Sequence, residues 1–125
     1  MLLSRFSQGS FWLFQFDRKG KKSIITHQHF SRSAADAFAK ALAKQLNMGH
    51  EPDSGGMFTD TEVYREVIPE CTNVSVGYED AHWKNENLNM HYLVKLRDAM
   101  LKLDLSKLVI ERDPAAIELP YWVQN

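Results

Sequence analysis

One run near the start constrains the fold more than anything else in the chain. Ser10-Phe11-Trp12-Leu13-Phe14-Gln15-Phe16 is almost wholly apolar and aromatic, and it stops at Asp17. A strand with no polar side has no face to give to water, so it reads as one buried on both faces, in a sheet layered with helices on each side. Arg18-Lys19-Gly20-Lys21 then supplies a turn, and Ser23-Ile24-Ile25-Thr26 a second strand. The spacing predicts a hairpin between the two, with Gly20 free to take a positive φ.

Further along, the periodicity changes. Phe38, Leu42 and Leu46 recur every four residues in an alanine-rich stretch, which predicts a helix opened by Ser33, with Asp36 at the capping-box position. Asn47-Met48-Gly49 is its stop, and Glu51-Pro52-Asp53-Ser54-Gly55-Gly56 has the composition of a flexible loop. Thr59-Asp60-Thr61 is expected to cap a short helix through Val67 that Pro69 ends. Thr72-Asn73-Val74-Ser75-Val76 is β-branched and alternating, a third strand. From about Asn87 to Leu103, the stripe Leu93, Leu96, Met100 and Leu103, widened by Leu88, Tyr92 and Ala99, predicts a long helix. The order β-β-α-α-β-α indicates one layered α/β domain over residues 1–125, with 105–125 as a tail. In that tail Tyr121-Trp122-Val123 is too apolar to leave in water and is expected to pack on the domain or on a partner.

Composition closes off several classes. Fifteen basic and 16 acidic residues give a net charge of −1, which leaves no electrostatic footprint for nucleic acid. The densest basic stretch, Arg18 to Lys22, reads as a solvated turn. No apolar stretch reaches the roughly 20 residues a bilayer requires, and the N-terminus lacks the pattern of an export signal. Cys71 is the single cysteine, so no intrachain disulfide forms. A cytoplasmic location is the expectation.

Asp17 and His82 stand out because each is a metal-type ligand just beyond a predicted strand, where ligands collect in open α/β sheets. His27 and His29 form His-x-His, and on a strand they would share one face. A surface pair is the preferred reading, with a separate metal site using these two and His82 as the alternative.

Three blocks carry a resemblance. They are Gly56-Met57-Phe58-Thr59-Asp60-Thr61; then Ile68-Pro69-Glu70-Cys71-Thr72-Asn73-Val74-Ser75-Val76-Gly77-Tyr78; then His82 with Asn85-Glu86-Asn87-Leu88. Together they resemble the end of the co-catalytic zinc aminopeptidase family, and Phe14-Gln15-Phe16-Asp17-Arg18-Lys19-Gly20 resembles that family's strand ending in a ligand aspartate. The similarity spans residues 10–104. It implies a zinc-exopeptidase-like fold, zinc as cofactor, Asp17 and His82 as metal ligands, Asp60 and Tyr78 beside the substrate, and a peptide or amino-acid substrate.

The departures bear on activity. A complete site in this family also uses an earlier His, a bridging Asp and an adjacent Glu-Glu pair. The 16 residues before Asp17 hold no His, Asp or Glu, and the chain has no Glu-Glu pair. Trp83 follows His82 where the family commonly has a small hydroxyl residue. The chain is therefore expected to be the C-terminal portion of such a hydrolase, not competent alone, and completed by an N-terminal half. The alternative is a non-catalytic assembly or binding protein, with self-association covering the exposed sheet edge.

Overall fold

The computed structural model describes residues 2–4, 12–56, 64–79, 87–88 and 90–114. The architecture is mixed α/β, a five-stranded sheet with two α-helices among these residues. In chain order the elements are β1 (Leu2–Ser4), β2 (Trp12–Arg18), β3 (Ser23–Ile25), β4 (His27–Gln28), β5 (Ser31–Arg32), α1 (Asp36–Leu46), β6 (Glu51–Asp53), β7 (Glu70–Ser75), β8 (Tyr78–Glu79), β9 (Asn87–Leu88) and α2 (Met90–Leu101). The main sheet runs β1-β2-β7-β3-β6, and two small hairpins, β4-β5 and β8-β9, stand beside it.

The aromatic run behaves as a doubly buried strand: Trp12, Leu13, Phe14 and Gln15 are all buried. Trp12 and Phe14 share a face, stack at 4.8 Å, and reach Phe38 of α1, whose ring lies 5.9 Å from Phe14. Ile24, Val74, Leu42, Leu46 and Leu96 of α2 complete this core, so both described helices belong to the cluster on this face. On the other face Leu13 meets Ile68 and Cys71. Burial pushes the Cys71 thiol up to about 12, so it packs as a small apolar group.

The expected hairpin between β2 and β3 does not form. β7 enters between them, parallel to β2 and antiparallel to β3. β7 offers two sides of backbone donors and acceptors and is buried throughout, so it takes the central place that a short tight pair could not fill. Gly20 still has the positive φ its turn needs, +78°.

Residues 51–53, expected as loop, form the edge strand β6, parallel to β3. An edge strand tolerates Pro52, whose missing N–H has no partner to disappoint on the open side. At the opposite edge β1 pairs antiparallel with β2 and covers that side of it. Asn87 and Leu88 are strand, not the first turn of the helix, because they pair with Glu79 and Tyr78.

The capping-box expectation for α1 also needs correction. The helix begins at Asp36 with Ala35 as its uncapped N-cap residue. Ser33 is buried, its oxygen shared between Thr26 O and Gln28 Nε2. The helix start is served instead by Glu70, fully buried, whose Oε1 accepts from Ala35 N at 2.7 Å while Oε2 accepts from Glu111 N and Arg112 N at 2.7 and 3.1 Å. A carboxylate at a helix N-terminus also answers the helix dipole. Arg112 in turn donates to the carbonyls of Pro69, Ile68 and Arg65. At the far end Asn47 takes the left-handed conformation and closes α1, as its position predicts.

Candidate functional site at the carboxyl ends of β2 and β7

The parallel pair β2 and β7 gives the sheet one end at which both strands finish together, with Gln15 opposite Asn73 and Arg18 opposite Ser75. Asp17 is the penultimate residue of β2. Just past the end of β7 the chain enters the β8-β9 hairpin through Tyr78. His82 belongs to the connection between those two short strands, and both His82 and Asp60 lie outside the described residues. Asp17 and Tyr78 are described through their backbones.

What surrounds this end is well defined. Ser75, buried, donates its hydroxyl to Lys19 O at 2.8 Å and accepts from Ser23 N at 3.1 Å. Ser23 Oγ donates to Asp53 Oδ2 at 2.6 Å, Gly55 N donates to Asp53 Oδ1 at 2.8 Å, and Arg18 Nη2 lies 3.8 Å from the same carboxylate. Burial alone would raise the Asp53 pKa, but the hydrogen bonds from Ser23 and Gly55 and the Arg18 charge outweigh it and hold the group below its ordinary 3.8.

Beyond Ser75, Gly77 has φ +89°, and a Cβ there would sit 2.4 Å from the Tyr92 ring. Only glycine lets the chain turn under α2 at this point. Tyr92 closes the corner: its hydroxyl donates to Lys21 O, so its oxygen accepts from His50 Nε2 at 3.0 Å. Burial lowers the His50 pKa from 6.5, with the Ser75 backbone pulling the other way, and burial pushes Tyr92 up to about 12. A neutral imidazole and a neutral phenol are the forms this corner favours.

His27 and His29 do not share a strand face. His27 is buried, with Nδ1 2.9 Å from Thr26 Oγ1, whereas His29 is exposed in the β4-β5 turn with φ +51°. The chain reverses at His29-Phe30, which ends the alternation that would have aligned them. Among the described residues no group of three or more His, Cys, Asp or Glu side chains could hold a metal ion. Nor, among them, is any helix long and apolar enough to cross a membrane.

Ser75, Asp53, His50 and Tyr92 carry no local signal as a group. The bonds that tie them together join residues 30 to 71 positions apart, and each alone reads as an ordinary strand, loop or helix residue. Comparison with protein-family profiles, with curated proteins and with solved structures finds no match to this chain.

Proposed function

We propose that this chain is the C-terminal portion of a zinc-exopeptidase-like hydrolase, contributing Asp17 and His82 as metal ligands and not competent for peptide hydrolysis by itself. The parallel pairing of β2 with β7 carries the reading, because Asp17, near the end of β2, and the β8-β9 hairpin that follows β7 lie toward the same end of the sheet. This is the end where ligands gather in such sheets.

A carboxylate and an imidazole suit zinc in kind, but a catalytic zinc takes three protein ligands. The rest of the set would come from a complementing N-terminal half. When bound, the metal would activate a water and polarise a carbonyl. Asp17 and His82 hold it in this proposal, and Asp60 and Tyr78 border a peptide or amino-acid substrate. Helices on both faces of the sheet and a cytoplasmic location belong to the same proposal.

Zinc titration of the full chain, beside Asp17→Ala and His82→Ala, tests it. The expected result is weak zinc binding by the chain alone, weakened further in each variant. Binding that ignores both substitutions removes the site assignment. The second reading, a non-catalytic assembly or binding protein, rests on the departure noted above, that the chain has no Glu-Glu pair to supply a general base. It predicts no zinc dependence at all and a self-associated species on sizing.

A further inference from the structure

The ladder between β2 and β7 loses register at one place. From Gln15 to Arg18 the chain advances three residues, while opposite it β7 advances two, from Asn73 to Ser75. One extra residue is therefore taken up across Phe16-Asp17. A bulge bends its strand and re-aims the side chains it carries. Left unsupported, the extra residue could be absorbed a step earlier or later, and that would shift the backbone at Asp17.

Here the exit from the bulge is held from several directions. Val76 N donates to Arg18 O at 2.9 Å and Gly77 N to Gly20 O at 2.7 Å, so pairing resumes immediately beyond it. The Ser75 hydroxyl bridges the two ends of the following turn, Lys19 O and Ser23 N. Asp53 steadies the same turn from the β6 side, through Ser23 Oγ and the nearby Arg18 guanidinium.

We infer that Ser75 is a positioning residue that fixes the bulge at Asp17, with Asp53 as its support, and so sets the backbone position of that residue. The inference rests on Asp17 being a ligand, as proposed above. Serine suits the position because it is fully buried between two strands and its one oxygen both donates and accepts. Alanine would leave Lys19 O and Ser23 N, both in part-buried bonds, without that partner.

The test uses the full chain, with Co2+ as the metal probe and metal-free amide spectra as an independent readout. Ser75→Ala is compared with Thr72→Val, which removes another fully buried hydroxyl of β7, bonded to Ile25 O and away from the bulge. Expected for Ser75→Ala are shifted amide resonances at Phe16, Asp17 and Arg18 and Co2+ affinity lowered on the order of tenfold. Thr72→Val should lose thermal stability with neither change. Asp53→Asn should move both readouts in the same direction as Ser75→Ala, and it carries the decision if Ser75→Ala does not fold. Unchanged amides at 16–18 in the deciding variant, or equal shifts in Thr72→Val, overturn the inference. If Co2+ binding is indifferent to Asp17→Ala, the ligand reading fails by itself, and the amide shifts still decide whether Ser75 positions the bulge.

Discussion

Replacing Glu70 by Gln should be among the most damaging near-isosteric changes in this chain. Glu70 is completely buried, and its two oxygens receive three backbone N–H groups, one from the start of α1 and two from the segment after α2. A glutamine keeps one oxygen and turns an NH2 toward the other set of donors. In the better orientation the oxygen stays with Glu111 N and Arg112 N, and Ala35 N is left facing a second donor. An unsatisfied buried N–H costs about 1–3 kcal/mol, and neutralising the acceptor weakens the two surviving bonds by about 1 kcal/mol each. Loss of the negative charge at the helix N-terminus adds about 0.3–1 kcal/mol. Against this, the buried charge no longer has to be desolvated, which returns part of the loss. The net expectation is a destabilisation of about 3 kcal/mol, a large fraction of the roughly 5–15 kcal/mol typical of a domain.

Urea denaturation checks the magnitude through the midpoint at unchanged slope. Hydrogen exchange checks the location: the amides of Ala35, Glu111 and Arg112 should lose protection before those of β7. A shift below about 1 kcal/mol, or a loss without that local pattern, would refute the view that one carboxylate ties helix, strand and tail together.

Two further outcomes are expected. The depressed His50 pKa means the unfolded chain takes up the proton first, so stability held above pH 6.5 should be lost as the pH falls toward the folded value. Melting temperatures across that window should fall less steeply for His50→Gln than for the parent, and identical slopes would exclude His50 as the source. At the β4-β5 turn, His29 and Phe30 both hold positive φ, and Phe30 is 71% exposed. His29→Asn with Phe30→Gly should raise stability by about 1 kcal/mol in the same urea assay, since Asn-Gly suits such a turn; a lower midpoint would show that the Phe30 side chain stabilises the fold more than its backbone strain opposes it.

The elements legible from sequence were those whose signal is local and repeated. The aromatic run gave β2 its burial, the spacing of Phe38, Leu42 and Leu46 gave α1 its buried face, and Asn47 closed it. Reading failed where a partner distant in sequence decides. Strand β7 separates β2 from β3, a place no turn chemistry around Gly20 can announce. Ser33 resembled a cap because the residue supplying the helix start, Glu70, lies 35 positions from Ala35. Glu51-Pro52-Asp53 resembled a loop because an edge strand needs neither apolar alternation nor every N–H. At the carboxyl end of the sheet the place of Asp17 near the end of β2 was legible from the apolar run before it, whereas the network of Ser75, Ser23 and Asp53 exists only after β3, β6 and β7 have assembled.

The two ends of β7 are built on different physical terms, and that asymmetry bears on function. At its amino end Glu70 and Arg112 saturate the surrounding backbone donors and carbonyls, closing the sheet against α1 and the tail. At its carboxyl end the residues are small, Ser75 and Gly77, the neighbouring strand bulges at Asp17, and Gly20 and Gly77 turn the backbone through positive φ. Polar bonds there fix the path of the chain more than they close it. Substitutions at the amino end should therefore register as stability. Those at the carboxyl end should register as altered presentation of Asp17 with smaller stability losses. If Glu70 and Ser75 variants separate along these two axes, the amino end of β7 closes the sheet and its carboxyl end positions the bulge at Asp17. If both lower stability alone, that division between the two ends of β7 fails.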